Sequence, residues 1–148
     1  MKVIIEPREL IARYVTAKTG YNFEGSPFTA FGLLDGDDRL VAGAIFNGYK
    51  KPNIVMSIAA ERITPAFMAA IMGFAFNQCN CGRVTGLVEK RNHASRKFSL
   101  HLGAKLEGCM RRASPNGDVL IYGLLREDAQ KWITDKYRAK LGESSWVS

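Results

Sequence analysis

The sequence has few of the residues that form disulfide bonds or bind zinc, the two kinds of cross-link that stabilise small proteins. Its 148 residues include three cysteines and two histidines, and Cys79 and Cys81 are separated by a single residue. An odd number of cysteines is a poor disulfide framework, and C-x-C is not the usual spacing of zinc ligands. We therefore expect reduced thiols and no metal. A chain of this length buries an ordinary core without such cross-links.

Long apolar runs are also missing. No stretch reaches the roughly 18 apolar residues of a membrane span, and the opening segment "MKVIIEP" lacks the long apolar run of a signal peptide. These absences predict no membrane association and a cytoplasmic protein. No repeat, low-complexity tract or linker divides the sequence. We interpret residues 1–148 as one domain.

Acidic residues are scarcer than basic ones, with 14 Asp or Glu against 21 Lys or Arg and a formal net charge of +7. Residues 89–112, "EKRNHASRKFSLHLGAKLEGCMRR", hold seven of the basic residues and two acidic ones. A basic stretch binds nucleic acid, coats a solvated helix, or holds the phosphates of an anionic cofactor. This one lacks the interleaved aromatic residues of a nucleic-acid stacking platform, so nucleic acid is the least favoured partner.

The apolar periodicity predicts the order β-α-β-β-β-α-β-α-β-β-α. A strand at Val3 precedes a helix from about Arg8 to Gly20, and a D-G turn at residues 35–38 joins two strands. "NIVMSIAA" and "RVTGLV" are predicted strands, separated by a helix that Thr64 caps. Strands alternating with helices require crossovers, hence a mixed, partly parallel α/β sheet. A last helix from about residue 127 has an apolar side formed by Trp132, Ile133 and Tyr137.

One motif lies within the basic stretch. It reads N-x-x-S-x₇-G-x₃-E-G, formed by Asn92, Ser95, Gly103, Glu107 and Gly108. With the predicted element order, this motif resembles the GCN5-related N-acetyltransferase (GNAT) superfamily. Within it the chain looks most like the RimJ/RimL-type branch and the bacterial phage or prophage acetyltransferases, through "RVTGLV", "RNHA" and "YGLLRE".

The resemblance implies the GNAT fold, a mostly antiparallel sheet with a splayed parallel strand pair and flanking helices. It also implies an enzyme that transfers an acetyl group from acetyl-CoA to a primary amine by direct attack in a ternary complex. The acceptor is a protein N-terminus, a lysine or a small molecule. The resemblance does not decide whether the protein forms a homodimer. The alternative is a catalytically degenerate member that binds CoA or a macromolecular partner without turnover.

The family places acetyl-CoA between the strands "NIVMSIAA" and "RVTGLV". The resemblance therefore implies that the backbone of Ile58, Ala59 and Ala60 pairs with the pantetheine arm. It also implies that the pyrophosphate meets the N-terminus of the following helix, where unpaired N–H groups and the helix dipole favour an anion. Its donors would be the backbone N–H groups of Ala66, Phe67 and Met68.

The pyrophosphate loop departs from the family pattern R/Q-x-x-G-x-G/A. The corresponding segment "RITPAF" keeps Arg62 but has no glycine at either later position. We expect Arg62, Arg91, Arg96 and Lys97 to supply the missing positive charge, since guanidinium groups bind phosphate oxygens in a bidentate manner. A solvated helix surface is the alternative for each of these residues.

Three residues at the start of, or within, the helix that follows "RVTGLV" are candidates for cofactor binding or catalysis. The resemblance implies that Asn92 hydrogen bonds to the pantetheine arm, although Asn at this position is also a frequent helix N-cap. Many relatives have a tyrosine seven residues after the asparagine as the acid that protonates the thiolate, and here that position is Ser99. Ser95 lies one turn earlier on the same helix face. We expect Ser95, then Ser99, to act near the thiolate.

The general base is expected at Glu61, which follows the strand "NIVMSIAA" and would lie beside the thioester. A carboxylate there takes a proton from the amine directly or through water. Glu89 and Glu24 are the rival candidates. Pairing of Glu61 with a surface cation is the alternative to a chemical role.

Overall fold

The computed structural model describes residues 1–133, and its elements follow the predicted order. The strands are β1 (Lys2–Ile4), β2 (Thr29–Leu34), β3 (Leu40–Lys50), β4 (Asn53–Ala60), β5 (Arg83–Glu89), β6 (Lys105–Ser114) and β7 (Gly117–Leu125). The helices are α1 (Arg8–Thr19), α2 (Pro65–Met72), α3 (His93–Leu102) and α4 (Gln130–Ile133). A π-helical segment, Gly73–Gln78, extends α2, and a 3₁₀ turn, Arg126–Ala129, precedes α4.

All seven strands form one sheet in the order β1-β2-β3-β4-β5-β7-β6. Every neighbouring pair is antiparallel except β4 and β5, which are parallel. The α/β class, the mixed sheet and its parallel pair are therefore confirmed. The two ladders that flank the parallel pair, β3–β4 from Ala42 to Asn47 and β5–β7 throughout, keep a regular register.

Two apolar clusters cover opposite faces of the sheet. One packs α1 on the sheet through Ile11 and Val15, which are fully buried. The other packs α2 and its π-helical extension on the opposite face. The sequence predicts a single apolar stripe on α2, but all of its residues from Phe67 to Met72 are buried, because α4 packs on it as well.

Two arginines hold the chain together around the start of β5. The guanidinium of Arg126 donates to the carbonyl oxygens of Phe76 and Cys81 and to the side chain of Asn80, closing the end of the π-helical segment. Arg83 forms a bidentate pair with Glu107 on β6, at 2.5 and 3.0 Å. This pair gives Glu107 a structural role.

The Arg83 pair reaches across β7. The Glu107 side chain crosses β7 at Gly123, where a Cβ atom would overlap its carboxylate. Arg83 also donates to the hydroxyl of Thr85, and that hydroxyl donates to the Asn53 side chain on β4 at 2.6 Å. One polar network therefore links β4, β5 and β6 at the paired end of the parallel strands.

The end of the chain agrees with prediction as far as it is described. The 3₁₀ turn and α4 lie where the last helix is expected; Ile133 is buried and Trp132 donates to the Leu102 carbonyl oxygen at 3.2 Å. Tyr137 lies outside the described residues. All three cysteines are free thiols. Within residues 1–133, no helix is long and apolar enough to cross a membrane.

We predict that Gly43→Ala lowers the free energy of unfolding by about 1–3 kcal/mol, the usual cost of overpacking a core. A Cβ atom at Gly43 would lie 2.8 Å from Cγ2 of Val15 and 3.3 Å from Cγ2 of Ile11, so α1 would have to move from the sheet. Urea unfolding of both variants measures the change. The control is Gly86→Ala, where no atom lies within 4 Å of the added methyl group; equal losses in both variants would contradict the prediction.

Candidate active site

The site begins where the parallel strands separate. β4 and β5 pair over four residues, from Asn53 opposite Arg83 to Met56 opposite Gly86. Beyond Met56, β4 continues to pair with β3 as far as Ala60, and β5 continues to pair with β7 as far as Glu89. The β5-facing edge of residues 57–60 therefore has no strand partner. Backbone groups along such an edge need a ligand or water as partners.

A cleft of about 400 Å³ lies between the end of β4 and helix α3. Ile58 and Ala60 line it from β4, and Ser95, Lys97 and Phe98 line it from α3. The segment that leads to α2 closes its rim with Glu61, Arg62 and Ile63. The structure thus brings together predicted residues that are more than thirty positions apart in the sequence.

A second, smaller cavity of about 40 Å³ lies between the separated strands. It shares Ile58 and Ser95 with the larger cleft and is also lined by Asn92 and Ser99. Its other walls come from both strands, from the end of α3 and from the end of α1 and the residues after it, through Thr19, Tyr21, Met56, Ser57, Gly86, Leu87, Val88, Glu89 and Leu102. The volume is enough for one water-sized group.

The hydrogen bonds of α3 fix the orientation of its polar residues. The Asn92 side chain accepts a hydrogen bond from the backbone N–H of Ser95 at 3.2 Å, so Asn92 is the N-cap of the helix. The hydroxyl of Ser99 donates to the carbonyl oxygen of Ser95 at 2.9 Å. The hydroxyl of Ser95 makes no hydrogen bond within residues 1–133, and Ser95 lines both the cleft and the cavity.

The N-terminus of α2 offers fewer free donors than the sequence suggests. Thr64 caps the helix, because its hydroxyl accepts from the N–H of Phe67 at 3.2 Å and its carbonyl oxygen accepts from the N–H of Met68 at 3.1 Å. Both side chains are buried in the core. Of the three N–H groups expected to hold a pyrophosphate, those of Phe67 and Met68 are already engaged, and only that of Ala66 has no partner in the described chain.

The basic residues divide into two groups. Arg62 and Lys97 line the cleft, and their charged ends make no ion pair within the described residues. Arg96 points elsewhere, because its guanidinium donates to the carbonyl oxygen of Lys90 at 3.0 Å. Neither Arg96 nor Arg91 lines the cleft. Of the four basic residues that the sequence predicts to bind phosphate, the tertiary structure therefore places two, Arg62 and Lys97, at the cleft.

Glu61 lies at the end of β4 in a small charged cluster on the α1 side. One carboxylate oxygen accepts from the Tyr14 hydroxyl at 3.4 Å and lies 3.4 Å from Nζ of Lys18. Both members of the ion pair are about half exposed, so the pair adds little to stability. Burial of Tyr14, and then the Glu61 charge, raise the pKa of Tyr14 to about 12.

Sequence reasoning missed Tyr14 and Tyr21, and it did not connect Ser114 with Glu89. The hydroxyl of Ser114 donates to Glu89 at 2.6 Å, and the hydroxyl of Tyr21 is buried without a hydrogen-bond partner in the described chain. Burial, and then the Glu89 charge, raise the pKa of Tyr21. No motif marks these residues, because they converge from three distant elements. Glu24 lies in a separate cavity of about 750 Å³ between α1 and residues 22–28.

The fold is that of GNAT-family acetyltransferases. The structure resembles the spermidine/spermine N-acetyltransferase SpeG from Vibrio cholerae in mutant form, with a TM-score of 0.68 and 11% sequence identity over 88% of this chain and 97% of that chain. It also resembles a GNAT-family acetyltransferase from Bacillus anthracis, with a TM-score of 0.55 and 17% identity over 66% of each chain. No protein-family model and no curated protein matches the sequence.

These similarities bear on the predicted resemblance in two ways. The element order, the single mixed sheet and the parallel pair that separates after four residues agree with the predicted GNAT fold. The narrower resemblance to RimJ/RimL-type and phage acetyltransferases stays a prediction. Within residues 1–133, no three His, Cys, Asp or Glu side chains group as metal ligands.

We predict that Glu61→Gln lowers the pKa of Tyr14 from about 12, because it removes the negative charge that opposes tyrosinate formation. The raised pKa means that the folded state holds this proton more tightly than the unfolded state. Its stabilising contribution is therefore lost as pH rises from about 10, the unfolded value, through the folded pKa.

The tyrosinate absorbance of each protein, minus that of its Tyr14→Phe counterpart, isolates this titration. Glu24→Gln makes the same charge change in the separate cavity and should leave the pKa of Tyr14 unaltered. An unaltered value in Glu61→Gln as well would show that Glu61 does not act on Tyr14.

Proposed function

We propose that the protein is an acetyl-CoA-dependent N-acetyltransferase that acts on a primary amine by direct attack in a ternary complex. The observation that carries the proposal is the separated strand pair, which opens onto a cleft and a small cavity with Ser95 at their junction. A site of this kind can hold a long thioester in the cleft, with the water-sized cavity beside it for the attacking amine group. The similarity to acetyltransferase structures supports the same reading.

The cleft suits an anionic cosubstrate with a long, partly apolar arm. We propose that the unpartnered backbone edge at Ile58, Ala59 and Ala60 pairs with the pantetheine amides. The free N–H of Ala66 and the charges of Arg62 and Lys97 would then hold phosphate oxygens. Within residues 1–133, these groups in or beside the cleft have no hydrogen-bond or ion-pair partner in the protein.

The proposed chemistry needs a neutral amine, a polarised thioester carbonyl and a proton for the departing thiolate. The hydroxyl of Ser95 is our candidate for the proton donor, because it lines both cavities without a hydrogen bond of its own. The Ser99 hydroxyl donates a hydrogen bond to the Ser95 carbonyl oxygen. It would have to rotate away from that oxygen before it could give a proton to the thiolate. We therefore propose Ser95 as the acid and Ser99 as its supporting neighbour.

The acceptor is proposed only as a primary amine, whether a protein N-terminus, a lysine or a small molecule such as spermidine, for which the similar acetyltransferase is named. A second candidate is a degenerate member that binds CoA or a macromolecular partner without turnover. The engaged N–H groups of Phe67 and Met68 favour a macromolecular partner over CoA for such a member, because they leave the pyrophosphate fewer donors than a glycine-rich loop would. Thiol release from acetyl-CoA across a panel of amines and peptides separates the two.

We predict that CoA raises the melting temperature, because a ligand that binds only the native state stabilises it by about 2.7 kcal/mol at 100 times its dissociation constant. Arg62→Glu and Lys97→Glu should each weaken CoA binding by about tenfold or more, the loss expected for one hydrogen bond to a charged group. Titration calorimetry at moderate salt measures both affinities.

The matched control is Arg111→Glu, an exposed residue of β6 that makes no contact with the cleft. It changes the net charge equally, so an equal loss of affinity would mean that only the overall field of the protein matters. The absence of any thermal shift with CoA or acetyl-CoA would overturn the proposed function.

We predict that Ser95→Ala lowers turnover while leaving CoA affinity nearly unchanged. The thiolate exists only as the tetrahedral intermediate collapses, so loss of its proton donor affects the chemical step rather than ground-state binding. A positioned proton donor contributes about 10²–10⁴-fold, and we expect the low end because thiolates leave readily. Steady-state kinetics compares this variant with Ser26→Ala, which lines the separate cavity; wild-type turnover in Ser95→Ala would exclude Ser95 as the acid.

A further inference from the structure

The far wall of the small cavity is built differently from the cleft. Glu89, the last residue of β5, contributes a carboxylate there, and Tyr21 contributes a buried hydroxyl that has no hydrogen-bond partner in the described chain. The wall also contains Thr19, the last residue of α1. None of these groups is cationic. The cleft, in contrast, is lined by two cations, Arg62 and Lys97, as well as by Glu61.

Glu89 is held in place on one side only. The Ser114 hydroxyl donates to its Oε2 atom at 2.6 Å, and the N–H of Asn116 donates to the oxygen of Ser114 at 3.0 Å. Its Oε1 atom faces Gly20, where a Cβ atom would lie 3.8 Å away. Among the described residues, Oε1 accepts no hydrogen bond. The carboxylate is therefore oriented and still has an acceptor atom to offer.

The end of α1 adds to the negative potential at this wall. Gly20 ends the helix in the left-handed conformation, with φ of 83°, and its N–H bonds to the Thr16 carbonyl at 2.8 Å. The remaining carbonyl groups of the last turn carry the negative end of the helix dipole, which favours a cation by about 0.3–1 kcal/mol. The same turn of the chain places Tyr21 against the cavity.

We infer that Glu89 binds the cationic primary amine of the acceptor and removes its proton, with Ser114 as the residue that positions it. This inference rests on the proposed function and assigns the base to Glu89 rather than to Glu61. Glu61 lies in the cleft rim and is paired with Lys18 and Tyr14. The Oε1 atom of Glu89 accepts no hydrogen bond within residues 1–133, and Glu89 lines the same cavity as Ser95 and Ser99.

The proposed step is balanced in atoms and charge. The ammonium group gives one proton to Glu89, and the neutral nitrogen forms a bond to the thioester carbonyl carbon. The carbon–sulfur bond then breaks, the thiolate takes a proton through Ser95, and the nitrogen loses its second proton to restore the Ser95 hydroxyl. Glu89 finally releases its proton to water. The unpartnered hydroxyl of Tyr21 is a further hydrogen-bonding group for the amine.

The test compares two small acceptors near neutral pH, n-butylamine, which is cationic, and hydroxylamine, which is already neutral. Thiol release from acetyl-CoA is followed for the wild type and for Glu89→Gln, which keeps the shape of the side chain and an oxygen for Ser114. We expect the variant to lose about 10²–10⁴-fold in turnover with n-butylamine, the usual contribution of a general base. Its turnover with hydroxylamine should fall much less.

Two further variants make the result specific. Ser114→Ala should lower turnover with n-butylamine and spare turnover with hydroxylamine, because it frees the carboxylate without removing it. Glu9→Gln, on the exposed face of α1, makes the same charge change as Glu89→Gln and should leave both rates at the wild-type value. A CoA-induced thermal shift equal to that of the wild type shows that each variant is folded.

Three outcomes overturn the inference. If Glu89→Gln matches an active wild type with n-butylamine, Glu89 is not the base, although the proposed function stands. If Glu61→Gln instead shows selective loss with the cationic amine, the base is Glu61. If Glu89→Gln loses both acceptors equally, its role is structural. Absence of thiol release by the wild type with every amine would instead overturn the proposed function itself.

Discussion

The candidate site depends on the parallel pairing of β4 and β5 ending after four residues. Each strand is also bound to an antiparallel partner on its other side, β4 to β3 and β5 to β7, and both of these ladders remain regular beyond the point of separation. Each half of the sheet therefore keeps its own twist, and the two halves diverge once nothing joins them. The gap between them exposes a backbone edge that a bound molecule can satisfy.

Separation at one end requires attachment at the other. The side chains of Asn53, Thr85, Arg83 and Glu107 link three strands at the paired end, and Gly82 and Arg83 both donate to the carbonyl oxygen of Pro52. On the face below, α2 and its π-helical extension pack across the sheet, with Arg126 closing their end. The gap is thus a defined feature of the fold. The polar network holds β4 and β5 together at their paired end, so that they separate only beyond Met56 and Gly86.

The charges around the gap are sorted by sign. Arg62 and Lys97 lie at the cleft, where a phosphate-bearing cosubstrate would enter, while Glu89 and the end of α1 lie at the far wall of the small cavity. An anion in the cleft and a cation at this wall would each meet a complementary field. The net charge of +7 favours the anion over longer distances, whereas the cation must be recognised by local groups. Glu61 also lines the cleft, where its pairing with Lys18 partly offsets its negative charge.

Much of the architecture was determined by the sequence alone. Alternating apolar patterns, the D-G turn and the Thr64 cap are local signals, so the element order and the mixed sheet follow from them. Asn92 as an N-cap and Ser95 on the adjacent helix face were likewise predictable, because capping and helical spacing act over three or four residues.

Only the tertiary structure decided which residues share the site. It engaged the N–H groups of Phe67 and Met68, directed Arg96 towards Lys90, and placed Tyr14 beside Glu61. It also brought Tyr21 to the same cavity wall as Glu89, which Ser114 contacts from the end of β6. The partners of a side chain depend on how distant strands and helices pack. Residues 21, 89 and 114 are far apart in the sequence, so no local pattern indicates that they meet. Local propensity therefore fixes where helices and strands begin and end, and packing across the sheet fixes which of their functional side chains lie together in the site.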